Sequence, residues 1–200
     1  MAFALAATFA QTAHEVAENE WTAADTRVLL AVHGWASPAA DAVMRGLTTL
    51  GSLLGLTLCV VLAGGWCVWR GATRQATWLA GVALVGALAN LLLKLGFARA
   101  RPALWPEALH LATYSFPSGH AMSSAATLGM IAVVVARVAP RARVAVAVLA
   151  PLLVLGVGLS RLYLGAHWPS DVLAGWAAGS LVLLAGATLS RPPRVASSAG

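Results

Sequence analysis

Three short stretches of this chain bring together side chains suited to binding an anion and moving protons. They are Lys94-Leu-Gly-Phe-Ala-Arg-Ala-Arg101-Pro102, Tyr114-Ser-Phe-Pro117-Ser118-Gly119-His120 and Ser160-Arg161-Leu-Tyr-Leu-Gly-Ala-His167-Trp-Pro-Ser-Asp171. Arg101 and Arg161 each offer a planar fork that matches two oxygens of a phosphate, and Lys94 adds a point charge. Arg99, two residues before Arg101, is a lesser participant. Where Ser118, Gly119 and His120 open a helix, their backbone N–H groups and the positive end of the helix dipole face the same anion. The two histidines supply both halves of a displacement at phosphorus. His167 has Asp171 four residues on, a helical-turn spacing that puts the carboxylate beside one ring nitrogen, fixes the tautomer and favours the imidazolium. His167 is therefore the better nucleophile, and His120 is placed to protonate the leaving oxygen before water attacks the phosphohistidine.

Taken singly, each feature has a plainer explanation. Lys94 or Arg161 alone reads equally as a snorkelling anchor. Pro102 and Pro117 read as loop punctuation, and His120 as a helix residue without a task. Together, at the ends of membrane helices where ionisable groups are costly, they mark a functional site.

The elements that must position these residues are apolar. The 200 residues are 60% hydrophobic and 10% charged, far from the roughly one-quarter charged content of soluble domains. This excludes disorder. A disulfide-stapled secreted fold is excluded because only Cys59 and Cys67 are present, about 12 Å apart along one helix. Five apolar blocks approach the length of about 20 residues needed to cross a bilayer: 50–69, 76–97, 121–138, 144–162 and 172–189. Backbone amides in lipid must be satisfied internally, and no strand alternation appears, so the expected fold is an all-α transmembrane helical bundle. Glycine and alanine in Gly81-Val-Ala-Leu-Val-Gly-Ala and Gly175-Trp-Ala-Ala-Gly suit close helix approach, although a lipid-facing or compositional origin explains them as well.

Before the first block, the chain is more polar. Segments around Val28–His33 and, after the Ser37-Pro38 start signal, through Leu47 read as short amphipathic helices at the interface. Met1–Ala10 is too short to span and has no positive flank of a secretory signal, so its role stays open. The expected organisation is thus an interfacial segment at 1–48, a transmembrane catalytic domain at 49–190 and a cytoplasmic tail at 191–200. Arg70, Arg74, Arg137, Arg141, Arg143, Arg191 and Arg194 fall on one face, and every Asp and Glu falls on the other with the three chemical stretches. The positive-inside rule makes the arginine face cytoplasmic, so the site faces outward, towards the periplasm, from a multi-pass protein of the inner membrane. The scattered basic residues form no nucleic-acid-binding face.

The constellation resembles the type 2 phosphatidic acid phosphatase (PAP2) superfamily of membrane lipid phosphatases, related in site chemistry to vanadium haloperoxidases. Three motifs match in order: Lys-x6-Arg-Pro at Lys94 to Pro102, Pro-Ser-Gly-His at Pro117 to His120, and Ser-Arg-x5-His-x3-Asp at Ser160 to Asp171. The resemblance implies that Lys94, Arg101, Ser118, Gly119 and Arg161 bind phosphate, that His167 is phosphorylated, that Asp171 orients it and that His120 is the general acid. It implies no metal or other cofactor. The substrate expected is a membrane lipid phosphate, with polyprenyl pyrophosphate, such as undecaprenyl pyrophosphate, ahead of phosphatidylglycerol phosphate and phosphatidic acid. Phosphotransfer to an acceptor hydroxyl uses the same residues, and a non-catalytic lipid-phosphate binder or transporter would keep the cations without needing His167 or Asp171. The usual bacterial member has six spans against five clear ones here, which leaves a six-span core open. Oligomeric state is unknown from the sequence.

Overall fold

The computed structural model describes residues 1–18, 20–105 and 113–191, and the described residues form helices and connections with no strand. Eight α-helices follow one another: α1 (Ala2–Ala17), α2 (Thr22–His33), α3 (Pro38–Leu50), α4 (Leu53–Trp69), α5 (Thr73–Phe97), α6 (Gly119–Val138), α7 (Arg143–Tyr163) and α8 (Pro169–Leu189). A single 3-10 turn at Pro140–Ala142 leads into α7. The expected tail falls outside the described residues beyond Arg191, as do Glu107 and Arg194.

Helices α5 to α8 are each long and apolar enough to cross a membrane. The fifth expected span is different in kind, because α3 and α4 together pass the same test but are bent by 60° at a short break. The apolar block from residue 50 thus begins at the last residue of α3, just before the break. Gly51 ends α3, and the Ser52 hydroxyl restarts the chain as α4 by accepting a hydrogen bond from the Gly55 N–H at 3.1 Å. A side chain at Gly51 would lie 2.3 Å from Val157 and 3.2 Å from the His120 ring, so the bend wraps closely around α6 and α7. As expected, Ser37 caps α3 and Pro38 occupies its first turn.

The bundle is turned inside out relative to a soluble one. Leucines on the outer faces of α4 and α5 are bare, Leu54 being 80% exposed and Leu92 69%. The interior between α6 and α8 is built from Ala121, Ala125, Ala174, Ala177, Ala178, Ser124 and Thr127. Burial of oil against oil drives nothing in lipid, so small side chains that allow backbones to touch take over that task. Both glycine-alanine stretches in the sequence do this, the first through Gly86, where a Cβ would lie 3.4 Å from Ala126 of α6, and the second more tightly. A Cβ on Gly175 would sit 2.7 Å from the Ser118 carbonyl oxygen and one on Gly179 2.2 Å from that of Met122, whereas Gly81 faces open space. Gly179→Ala must push α6 from α8, at a cost of about 1–3 kcal/mol. Its thermal unfolding midpoint in detergent is expected to fall by several degrees, with Gly81→Ala as the unchanged control.

The apolar run left without a role at Met1–Ala10 becomes most of α1. This helix packs on α8, burying Thr12, Ala13 and Val16. Phe9, Ala13 and Val16 cluster with Phe97, Phe116 and Ala174, and the Phe97 and Phe116 rings lie 4.6 Å apart. This wedge holds the 113–118 connection down on the bundle. At the opposite end Arg74 donates to the Arg191 carbonyl at 3.1 Å and Arg137 to the Ser190 hydroxyl at 2.7 Å, so the arginine end and the end holding the three stretches are separate.

Candidate active site

All three stretches converge at one end of the bundle. Helix α5 ends at Phe97 with Ala98 in the left-handed region at φ 46°, which stops the helix and turns Arg99 and Arg101 back onto the helix ends. Helix α7 ends in a Schellman turn. Ala166 N–H donates to the Arg161 carbonyl at 3.0 Å and Gly165 N–H to that of Leu162 at 2.9 Å, with Gly165 at φ 63° as only glycine takes without strain. Two residues later the chain presents His167.

His167 is 2% exposed. Its Nδ1 lies 3.4 Å from Asp171 Oδ2 and 3.5 Å from the Ser115 hydroxyl, while its Nε2 lies 3.0 Å from the Arg101 guanidinium. The contact with Asp171 is present, but not through a helical turn shared by both residues. His167 precedes α8, and Asp171 sits in its first turn, where Oδ2 also accepts from the Trp168 N–H at 2.9 Å. The charge state expected from the sequence is reversed. Burial outweighs the pull of Asp171 and lowers the His167 pKa to about 4, so at neutral pH the ring is a neutral imidazole with its proton on the Asp171 side and a lone pair at Nε2.

Around Nε2 stand the cations. Arg101 is pinned by the Thr113 carbonyl at 2.7 Å, the Thr113 hydroxyl at 2.8 Å and the Tyr114 carbonyl at 3.2 Å. Lys94 donates to the Tyr114 and Ser115 carbonyls from the last turn of α5, which places it inside the bundle end and not at a lipid-facing anchor position. Arg161 is 3% exposed, bonds the Thr48 hydroxyl through one terminal nitrogen and leaves Nε buried without a partner among the described residues. A buried guanidinium N–H without an acceptor is expensive, and an anion at this fork would supply one. His120, half-buried at the start of α6, lies beside the Thr48 backbone carbonyl.

The Ser118 turn departs from the expected cradle. Its backbone N–H is already given to the Asp171 carbonyl at 2.9 Å, and its hydroxyl faces the Ala121 N–H at 3.5 Å as the α6 cap. Ser118 therefore ties α6 to α8, leaving the first-turn N–H groups of Gly119 and His120 without an acceptor within the helix. Asn90, one turn before Lys94, fixes this turn by donating to the Pro117 carbonyl at 3.3 Å. Any Cβ on Gly119 would meet Asn90 Oδ1 at 2.9 Å.

Four contributors went unrecognised in the sequence: Thr48, Asn90, Ser115 and Asp25. Asn90 had a signal, the lone carboxamide of the apolar block 76–97, one turn from Lys94. Asp25 had one too, since Asp25, Leu29 and Val32 share a helix face and all three are buried. Thr48 and Ser115 had none, because their partners come from helices distant in sequence. Arg99 turns out to be central to the carboxylates and not to the cation cluster, reaching Asp171 at 2.6 Å and Asp25 at 2.9 Å. Among the described residues no group of three or more His, Cys, Asp or Glu side chains is arranged to hold a metal ion.

A neutral, carboxylate-held imidazole facing the half-buried Arg101 beside the buried Arg161, at one end of a bundle of apolar helices, is the kind of site that handles phosphate in an integral membrane protein. The chain belongs to the PAP2 superfamily, a family of membrane lipid phosphatases whose model matches residues 75–192. It is 32% identical over 148 residues to phosphatidylglycerophosphatase B of Bacillus subtilis, covering 72% of each chain. It is 38% identical over 69 residues to an undecaprenyl-diphosphatase of Sulfolobus acidocaldarius, covering 34% of this chain and 30% of that one. Among solved structures it is similar to the transmembrane PAP2 type phosphatidylglycerolphosphate phosphatase from Bacillus subtilis, with a TM-score of 0.89 at 29% identity over 94% of each chain.

Proposed function

We propose that this protein hydrolyses the terminal phosphate of a membrane lipid through a phosphohistidine at His167, with phosphatidylglycerol phosphate as its substrate. The observation that carries the reading is the His167 ring itself, held by Asp171 at Nδ1 and offering Nε2 to the Arg101 cation. The phosphate sits between Arg101, Arg161, Lys94 and the first N–H groups of α6. Nε2 attacks phosphorus, forming a P–N bond as the P–O bond to the lipid breaks, and the leaving oxygen takes a proton from His120. Water then attacks the phosphohistidine, giving its proton to His120, and the P–N bond breaks to release inorganic phosphate. The cations stabilise the charge on the equatorial oxygens as they pass through the transition state.

A cavity of about 510 Å³ between α4, α5 and α6 supports a lipid substrate. It is lined by Leu56, Val60, Leu84 and Ala87 and reaches Gly119 and His120, so an apolar chain and its phosphate have adjoining places. The match along most of the chain to a phosphatidylglycerolphosphate phosphatase puts that lipid ahead of the polyprenyl pyrophosphate favoured by the sequence alone. The shorter likeness to an undecaprenyl-diphosphatase keeps the pyrophosphate as the second reading. The arginine-rich end is cytoplasmic in this reading, and the site opens outward from the inner membrane.

The test is phosphate release by detergent-purified protein from phosphatidylglycerol phosphate, undecaprenyl pyrophosphate and phosphatidic acid, with chelator present, followed by acid and alkali treatment of protein quenched during turnover. Release fastest from phosphatidylglycerol phosphate with an acid-labile, alkali-stable phosphoprotein is expected. No phosphoprotein under any quench, or no release from any lipid, overturns the reading. Arg161→Lys keeps the charge but loses the fork, and is expected to lower kcat/KM by about 10- to 100-fold, the worth of one or two hydrogen bonds to a charged group. Steady-state kinetics check this, and wild-type values would mean that charge alone matters there.

A further inference from the structure

We propose that Asp25, in α2, is a positioning residue of this site: through Arg99 and Ser170 it sets the place and effective charge of the Asp171 carboxylate that holds His167. The proposal rests on the phosphohistidine reading and extends it to a helix that precedes the family-matched residues. Asp25 is 1% exposed. One of its oxygens accepts from the Ser170 N–H at 2.9 Å, and the other accepts from Arg99 at 2.9 Å and from the Ser170 hydroxyl. Arg99 in turn gives its other terminal nitrogen to Asp171 Oδ1 at 2.6 Å and to Ser170 Oγ at 2.7 Å. One guanidinium is thus shared between two fully buried carboxylates, and the first turn of α8, which carries Asp171, is tethered to α2 by backbone and side chain together.

This sharing decides how much negative charge Asp171 presents to the imidazole. With Asp25 in place, Arg99 neutralises part of each carboxylate. Without it, the whole cation falls on Asp171, and the Oδ2 that faces Nδ1 becomes a poorer acceptor. The contacts from Asp25 through Arg99 to Asp171 are charge-assisted hydrogen bonds among largely buried groups, where such effects are weakly screened, and the last step is the 3.4 Å approach of Asp171 to Nδ1. The other charged or titratable groups around His167 are Arg101 from the 98–105 connection, Arg161 from α7, His120 from α6 and Lys94 from α5, and none of them is bonded to Asp25.

The experiment measures kcat, KM and the acid limb of the kcat/KM profile in detergent for wild type, Asp25→Asn, Arg99→Gln and the double variant, using the lipid that wild type turns over fastest. Asp25→Asn is expected to lower kcat by about 10- to 100-fold, the usual cost of losing a partner that orients a reacting group, with KM unchanged. Its acid limb moves to lower pH, because Asp171 holds the imidazole proton less well. Arg99→Gln moves the limb to higher pH, because Asp171 has lost its cation, and the double variant follows Arg99→Gln. Limb shifts in opposite directions are something a merely structural role would not produce. Wild-type kcat and profile in Asp25→Asn, or a fall in kcat with no limb shift in either single variant, overturns the proposal. Should Asp25→Asn not fold, an unmoved limb in Arg99→Gln overturns it equally. His167→Gln, run in parallel, separates the two claims. Turnover retained there sinks the phosphohistidine reading, whereas turnover lost there and unchanged in Asp25→Asn sinks only the role of Asp25.

Discussion

His167→Gln is expected to lower turnover of the lipid phosphate by roughly five orders of magnitude, as loss of a covalent nucleophile does elsewhere. Glutamine fills a similar volume and can still meet Asp171, so the Schellman turn, the cap of α8 and the cations stay in place. What disappears is the lone pair at Nε2 opposite Arg101. Binding is expected to survive within a few-fold, because Arg101, Arg161, Lys94 and the start of α6 are untouched. Single-turnover phosphate release and equilibrium binding of the same lipid check the two halves of this statement. Release within about tenfold of wild type would place the nucleophile elsewhere.

Asp171→Asn is expected to lower kcat by about 10^4-fold, although the new side chain differs only by an amide nitrogen for an oxygen. Asparagine can donate to Nδ1, and the ring then carries its proton on Nε2, the nitrogen that must attack. The pH dependence has a definite sign. An ordinary imidazole titrates near 6.5, but burial lowers that of His167 to about 4 against the opposing pull of Asp171. The His167 ring is therefore neutral only well above pH 4, and loss of the Asp171 charge lowers the value further. The acid limb of kcat/KM accordingly moves down in the variant, even as the rate falls at every pH. Ionisation of the substrate phosphate is common to both proteins and cancels in the comparison. A limb that moves up, or a kcat within tenfold of wild type, would refute the tautomer argument. A thermal unfolding scan guards against simple loss of structure, since Asp171 also holds Ser115, Trp168 and Arg99.

The same physics explains what could and could not be read from the chain. Helices α5 to α8 were legible because each is a run of apolar residues of membrane-crossing length with a charge or proline at its edge. Their observed limits differ from the expected ones by at most a few residues. The bend at Gly51 and Ser52 was not, because hydropathy averages over it and only the packing of Val157 and His120 against Gly51 demands it. Within the site, the cations and the His167–Asp171 pair announced themselves by residue type and spacing. The charge state of His167 did not, since spacing shows the carboxylate but not the burial that outweighs it. The tie made by Ser118 was not legible for a related reason: a serine at a helix start looks like an anion ligand, and only tertiary contact shows its N–H given to the Asp171 carbonyl.

That single bond from Ser118 to Asp171, with Gly175 and Gly179 pressed on the backbone of α6, has a further meaning for how the protein tells one lipid from another. The start of α6 and Asp171 are riveted to the same two-helix frame, which in the proposed reading leaves little slack for adapting to different head groups. Discrimination then falls to the walls of the cavity between α4, α5 and α6, where Leu56, Val60, Leu84 and Ala87 are side chains that take no part in the proposed chemistry. Chain-length and saturation preference is therefore a separable trait of this fold, open to exchange by swapping apolar residues along one cavity while the reaction centre stays as it is.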